Sequence, residues 1–193
     1  MMPWLVVVLG YFLGAVPTAY IAGRLLNAGD IRLMGDGNVG AANAFRQLGP
    51  VTGVTVGSID AGKGALAILV AQAFHLPPLM VLLAGTAAVL GHNWSLFIGF
   101  RGGRGESTVI GVLLVLVTLP MLILGLPALL TLIITRRVPL ASTVLFAPLS
   151  LVCWWLKTPA LLIGYSVALP CLLGLSHYWK TREVRHASRT VDP

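Results

Sequence analysis

Charged residues are scarce in this chain of 193 residues, because Asp, Glu, Lys and Arg together make up 10% of it. Soluble globular domains carry about 25% charged residues, so the composition excludes an ordinary water-soluble domain. Apolar residues make up 57%, and uncharged runs of the roughly 20 residues that a bilayer span requires recur along the chain. The composition therefore predicts an all-α polytopic membrane protein.

Cysteine and long polar segments are scarce as well. Cys153 and Cys171 both lie in apolar runs, without a CxxC or Cys/His spacing, so we expect neither a disulfide nor a metal site. No polar linker is long enough to separate two domains, and we interpret residues 1–193 as a single domain. Residues 1–23 have no basic segment and an apolar run too long for a signal peptide, which predicts a retained first helix.

Apolar runs predict about seven transmembrane helices. They lie at about 3–26, 51–75, 79–100, two within 107–135, 140–156 and 160–177, and a charged tail follows. Pro17 is expected to kink the first helix. The uncharged run 107–135 could form one tilted helix, but Pro120 and Pro127 favour two helices with a break near residues 118–120.

The formal net charge of +7 suggests a topology rather than a nucleic-acid partner. With seven helices, Lys157 lies on one side of the membrane and the other Lys and Arg residues lie on or near the opposite side. Lys and Arg mark cytoplasmic loops, so we predict an N terminus outside and a cytoplasmic C terminus. The same excess of cations also suits contact with anionic membrane lipid or an anionic substrate.

A first polar stretch, GDGNVGAANAFR, has the composition of an anion-binding loop. Its candidate phosphate-binding residues are Gly35, Asp36, Gly37, Asn38, Gly40, Asn43 and Arg46. The glycines permit positive φ and close approach of a ligand to backbone N–H groups, and the arginine offers a bidentate fork for phosphate. The alternative is a flexible glycine-rich loop between two helices.

A second stretch, SIDAGKG, places charge within an apolar helix. Asp60 and Lys63 are three residues apart, so they share a helix face and are expected to pair. Charges within membrane helices are costly and usually functional, which makes Lys63 a candidate catalytic residue. The alternative is a structural ion pair near the cytoplasmic end of the helix, and the pair could also hold Lys63 in place for an anion.

The third stretch, GHNWSLFIGFRGGRGEST at residues 91–108, is the densest polar segment. Its candidate residues are His92, Arg101, Gly102, Gly103, Arg104, Gly105, Glu106, Ser107 and Thr108. We expect the glycines to let backbone amides and both guanidinium groups converge on one anion, and the hydroxyls to cap the next helix. The alternatives are a structural histidine at a helix end and arginines that only mark the cytoplasmic side.

All three stretches fall on the cytoplasmic side in the seven-helix topology. Each of them carries cationic or amide donors above an apolar bundle. Together they predict a site for one or two phosphate groups at the membrane surface, and therefore a phosphorylated, lipidic ligand.

These stretches resemble the motifs of the bacterial acyl-phosphate-dependent glycerol-3-phosphate acyltransferase family. The resembling segments are GDGNVGAAN with Arg46, IDAGKG, GHNWSLFIGFRGGRGEST and VPLAST, in the family's order and spacing up to about Thr143. The resemblance implies a seven-helix enzyme of the bacterial inner membrane that transfers a fatty acyl group from acyl phosphate to glycerol 3-phosphate. The products would be lysophosphatidic acid and phosphate, in the first step of phospholipid synthesis, without a metal, another cofactor or acyl-CoA.

In that reaction the cations and amides would hold two phosphate groups side by side, since both substrates carry phosphate. We expect His92, Lys63 and Arg104 to be catalytic, and Asp60 and Glu106 to be structural or tuning residues. The attacking hydroxyl would lose its proton either to a phosphate oxygen or to His92.

This sequence also departs from the family pattern. Asp36 replaces Ser, Ala42 replaces Thr, Glu106 replaces a small apolar residue, Arg101 and Arg104 replace Lys, and Lys180 replaces Asn. We expect Asp36 to pair with a nearby arginine and Glu106 to pair with Arg101 or Arg104. The departures leave open a divergent paralogue with another phosphorylated substrate or no activity. A small transporter of phosphorylated solutes is a further alternative, although the last four predicted helices carry few polar residues.

Overall fold

The structure, a computed structural model, describes residues 2–189 and the side chains of residues 2–179. This part of the chain is helical and contains no strand. The helices are α1 (Pro3–Ala15), α2 (Thr18–Leu25), α3 (Ala41–Leu48), α4 (Pro50–Ala73), α5 (Pro78–Asn93), α6 (Glu106–Leu116), α7 (Thr118–Thr135), α8 (Val138–Phe146), α9 (Leu149–Trp155) and α10 (Ala160–Arg189). Short 3-10 turns lie at Ile31–Leu33 and Leu96–Ile98. The predicted all-α membrane fold is confirmed.

Six stretches of the described chain are long and apolar enough to cross a bilayer. They are Pro3–Leu25, Pro50–Ala73, Pro78–Ile98, Thr118–Thr135, Val138–Trp155 and Ala160–Trp179. α6 is apolar but shorter, and at about 1.5 Å per residue it reaches roughly half of the bilayer's hydrocarbon thickness. The count of seven spans and the sides of the two termini stay predictions.

Proline residues divide several of these stretches. The expected bend at Pro17 is a full break, because α1 ends at Ala15 and α2 begins at Thr18. The run 107–135 forms two helices that meet at Val117, as predicted. The predicted helix 140–156 is also divided, since α8 ends at Phe146 and α9 begins after Pro148.

Two helical segments were not expected from the sequence. α3 lies inside the polar stretch that was interpreted as a loop, with Asn43 and Ala44 on its buried side. α10 continues to Arg189, well past the predicted end near residue 177. α3 and the C-terminal extension of α10 are polar. Hydropathy identifies membrane spans and does not identify helices that lie outside the bilayer.

Close helix packing brings the polar stretches together. Gly10 and Gly14 of α1 face the backbone carbonyls of Ala84 and Ala88 on α5, so closely that a Cβ on either glycine would overlap them. α4 packs against α6 in the same way, where Gly64 faces the Thr108 carbonyl. The end of α1, the middle of α4, the end of α5 and the start of α6 therefore meet.

Candidate active site

Asp60 is the centre of a buried polar cluster. Its side chain is 1% exposed, and Oδ1 accepts a hydrogen bond from the Thr18 hydroxyl at 2.9 Å. The same oxygen lies 2.9 Å from Lys63 Nζ and 3.6 Å from His92 Nδ1. The predicted pairing of Asp60 with Lys63 is therefore present, but near the middle of α4 rather than at its end.

Lys63 is held by a second oxygen at the Pro17 break. Its Nζ donates to the carbonyl oxygen of Val16 at 2.9 Å, and the side chain is 7% exposed. Val16 stands between α1 and α2, outside both helices. The break in the first span thus supplies an acceptor for the buried ammonium group.

The glycine-rich loop lies directly against His92 at the end of α5. Gly103 N–H donates to the His92 carbonyl at 3.0 Å. A Cβ on Gly103 would overlap His92 Nε2 and the Val39 carbonyl, and one on Gly102 would overlap the His92 carbonyl. These glycines are required for close approach, and Gly103 joins the third polar stretch to the first.

The start of α6 differs from the expected cap. Its N-cap residue is Gly105, which has a left-handed φ of 88° and makes no side-chain cap. Thr108 is fully buried, and its hydroxyl has no hydrogen-bond partner within residues 2–179. Ser107 lies within α6. The prediction that these hydroxyls cap the helix is wrong, since the helix begins before them.

Asp36 lies between two arginines of the predicted phosphate site. Its Oδ2 is 3.1 Å from a terminal nitrogen of Arg46 on α3 and 3.2 Å from one of Arg104 in the glycine-rich loop. The expected pairing of Asp36 with a nearby arginine is confirmed. This bridge links the first and third polar stretches through their charged side chains.

The rest of the first stretch shapes the loop around Asp36. Gly35 and Gly37 have left-handed φ values of 57° and 68°, whereas Gly40 has an extended backbone. Asn38 N–H donates to Asp36 Oδ1 at 3.2 Å.

Asn43, by contrast, is fully buried and points its amide nitrogen at three backbone carbonyls, those of Ile31, Met34 and Asn38. Asn43 therefore stabilises the loop and does not present its amide donors to a ligand.

Glu106 does not pair with either arginine, contrary to expectation. The hydroxyl of Ser142 on α8 donates to Glu106 Oε1 and also to the carbonyl of Val138. Arg104 forms its ion pair with Asp36 instead. Glu106 thus connects the start of α6 to the VPLAST segment.

Arg104 pairs with Asp36, whereas Arg101 has no ion pair within the described residues, and their convergence on one anion stays a prediction. Arg101 lines an open cleft of about 510 Å³ with Tyr20, Arg32, Phe97, Ile98 and Gly99. Within this cleft Arg32 binds Asp30 at 2.6 Å, and the hydrogen bonds from Arg32 lower the pKa of Asp30 to about 2.

Several residues near the site were left out of the sequence prediction. Ser142 belongs to the recognised VPLAST segment, and His177 lies on α10. Nothing in the sequence except the adjacent Pro17 indicated that Thr18 and Val16 would contact Asp60 and Lys63. Lys180 lies outside the residues whose side chains are described. Within the described part, no cluster of three or more His, Cys, Asp or Glu residues could hold a metal ion.

Comparisons with known proteins agree along almost the whole chain. A family model described as Glycerol-3-phosphate acyltransferase matches residues 4–187. Glycerol-3-phosphate acyltransferase 4 of Dehalococcoides mccartyi is 50% identical over 95% of this chain and 100% of its own length. Glycerol-3-phosphate acyltransferase 1 of the same organism is 38% identical over 91% of this chain and 87% of its own length.

The fold agrees as well. The crystal structure of PlsY (YgiH), an integral membrane glycerol 3-phosphate acyltransferase, in its glycerol 3-phosphate form has a TM-score of 0.81 and 28% identity. The match covers 97% of this chain and 94% of that one. The lysophosphatidic acid form of PlsY gives a TM-score of 0.82. By its sequence and its fold, this chain belongs to the glycerol-3-phosphate acyltransferase family.

Proposed function

We propose that this protein is a multi-pass enzyme of the bacterial cytoplasmic membrane that transfers a fatty acyl group from acyl phosphate to a hydroxyl of glycerol 3-phosphate. The products are lysophosphatidic acid and inorganic phosphate, in the first step of phospholipid synthesis. The observation that carries this proposal is the assembly of the three polar stretches at one place, where Gly103 contacts both Val39 and His92 and Asp36 bridges Arg46 and Arg104.

Arg46 and Arg104 are the phosphate-binding groups in this proposal. Their guanidinium groups already face one shared anionic oxygen, that of Asp36, so a phosphate oxygen in that position has two charge-assisted partners. The N-terminal end of α6 adds backbone N–H groups and the positive end of its dipole. Arginine forks suit the transfer because both substrates and one product carry phosphate.

Lys63, Asp60 and His92 act in this proposal as positioning residues rather than as the groups that react. All three are buried, and the imidazole Nε2 of His92 faces the backbone of Gly103. Such a cluster fixes the glycine-rich loop, and with it Arg104, in one geometry. A charged group that is already held in place stabilises the transition state more than a mobile one, because the protein need not rearrange during the reaction.

The proton of the attacking hydroxyl then passes to a phosphate oxygen. The hydroxyl oxygen attacks the acyl carbonyl carbon, the bond from that carbon to the phosphate oxygen breaks, and phosphate leaves with the proton. The burial of His92, which is 6% exposed, supports this assignment over transfer to the imidazole. The protein's main contribution is to hold the phosphate groups of the two substrates so that the hydroxyl lies next to the acyl carbonyl carbon.

Kinetics of Arg104→Gln test the proposed site. Hydrogen bonds to charged groups are worth about 1.5–3 kcal/mol, so we expect a loss of roughly 10- to 150-fold in kcat/KM. The measurement is phosphate release from acyl phosphate in the presence of glycerol 3-phosphate. Arg136→Gln is the matched control, because Arg136 lies exposed between α7 and α8 and makes no ion pair within the described residues. Parent-like kinetics for Arg104→Gln would remove Arg104 from the site.

A further inference from the structure

The carboxylate of Asp36 occupies the position that the proposed function gives to a substrate phosphate. A single oxygen, Oδ2, lies 3.1 Å from Arg46 and 3.2 Å from Arg104. Neither arginine has another carboxylate within ion-pair distance in the described part of the chain. In the absence of substrate, a carboxylate of the protein itself therefore bridges the two cations best suited to bind phosphate and offsets one of their two positive charges.

A phosphate and this carboxylate cannot share the two guanidinium groups without strong repulsion. Two like charges about 4 Å apart repel each other much more strongly near a protein surface than in bulk water. The entering phosphate must therefore displace Asp36 from at least one arginine. Phosphate carries more charge than a carboxylate at neutral pH, so the exchange favours the substrate once it is present.

Displacement of Asp36 requires little rearrangement. Its side chain is 34% exposed, so a released carboxylate is readily solvated. Gly35 and Gly37 flank it in the left-handed region, and glycine changes backbone conformation at low steric cost. Rotation of the Asp36 side chain alone would move the carboxylate away from the arginines, with the hydrogen bonds from Asn43 to the loop kept.

We propose that Asp36 is an internal competitor of substrate phosphate that sets the affinity of the anion site. This inference rests on the proposed role of Arg46 and Arg104. Only the fraction of molecules in which Asp36 has released the arginines binds phosphate, so the apparent affinity falls by that fraction. The same competition weakens retention of the product phosphate, which carries the same charged group as the substrates.

Asp36→Asn and Asp36→Ser test the competition directly. Loss of two exposed ion pairs, each worth up to about fivefold in an equilibrium constant, predicts a roughly 3- to 30-fold fall in KM for at least one substrate. The inhibition constant of inorganic phosphate should fall by the same factor. Separate titrations of glycerol 3-phosphate and acyl phosphate show which substrate uses the two arginines.

Two further variants make the test specific. Asp30→Asn removes the same charge from another Asp–Arg pair, that with Arg32, and should leave both KM values unchanged even if it lowers the melting temperature. In the double variant Asp36→Asn with Arg104→Gln, the gain from removing Asp36 should shrink, because one of the released cations is absent. A purely structural role for Asp36 predicts no such dependence on Arg104.

An unchanged or raised KM for both substrates in Asp36→Asn and Asp36→Ser, with an unchanged inhibition constant for phosphate, would overturn the inference. Asp36 would then orient the arginines for substrate rather than compete with it. This result differs from failure of the proposed site, in which Arg104→Gln alone leaves KM, kcat and phosphate inhibition at their parent values.

Discussion

At the scale of single residues, the Asp60 cluster is a group of charged and polar side chains buried inside the helix bundle. A buried carboxylate is tolerated only when it is paired and hydrogen-bonded. Asp60 meets this requirement through Thr18, Lys63 and His92, which come from α2, α4 and α5. One carboxylate therefore ties three helices together directly beneath the glycine-rich loop.

We expect Asp60→Ala to be strongly destabilising. Removal of one partner leaves Lys63 buried without its counter-charge, which costs about 3–5 kcal/mol in comparable buried pairs. Thermal unfolding in detergent measures the loss. Thr18→Ala removes only one hydrogen bond to the same oxygen and should cost about 1 kcal/mol. An Asp60→Ala protein that melts at the parent temperature would show that the cluster does not stabilise the fold.

The sequence identifies charges at this scale better than it identifies their partners. The spacing of Asp60 and Lys63 predicts their pairing, since both belong to one helix. The partner of Glu106 could not be predicted in the same way, because Ser142 is remote in sequence and reaches it only through the packing of α8. Contacts between distant elements depend on tertiary geometry that a single sequence does not specify.

At the scale of elements, the contact between α1 and α5 sets the geometry of the site. Gly10 and Gly14 lie one turn apart on α1, opposite Ala84 and Ala88 on α5. Small residues at this spacing let membrane helices approach closely and pack by van der Waals contact. The contact fixes the end of α1, with Val16, relative to His92 at the end of α5.

We expect Gly14→Leu to prevent this approach. A Cβ at residue 14 already overlaps the carbonyl of Ala88, so a larger side chain must separate the helices. The variant should lose both thermal stability and acyltransferase activity. Gly125→Leu is the matched control on α7, because a Cβ there has no neighbour within 4 Å. A Gly14→Leu protein with parent-like melting and turnover would contradict the close packing.

Helix boundaries show why some elements were predictable. A proline marks the break in the first span, at Pro17, and the starts of the next two, at Pro50 and Pro78. Proline predicts such positions from the sequence because it lacks an N–H donor. α3 was missed because its polar residues match a glycine-rich loop as well as a short helix. Its formation depends on burial of Ala44 and Asn43 against the rest of the protein.

At the scale of the whole molecule, the asymmetry of charge makes the topology testable. We expect Arg136→Cys to react with a membrane-impermeant thiol reagent only from the cytoplasmic side, and Thr158→Cys only from the outside. Both positions lie between helices, and the native Cys153 and Cys171 are first replaced by Ala. Labelling of both positions from one side would contradict the predicted arrangement of the helices.

The prediction of a phosphate site follows from composition, since charged residues are few and three short stretches place cationic, amide and glycine residues close together in the sequence. The fold brings these stretches together as the sequence suggested, and their charged residues form two separate groups. Asp60, Lys63 and His92 form a buried cluster, whereas Arg46 and Arg104 form an accessible pair bridged by Asp36. Arg101, which resembles Arg104 in sequence, lines an open cleft with Tyr20 and Arg32.

Acyl phosphate and glycerol 3-phosphate are the proposed substrates of this protein. The most direct measurement incubates the purified protein with radiolabelled glycerol 3-phosphate and either acyl phosphate or acyl-CoA, and quantifies lysophosphatidic acid. We expect product with acyl phosphate, one phosphate released per product molecule, and no product with acyl-CoA. Product formed from acyl-CoA but not from acyl phosphate, or no product from either donor, would contradict it.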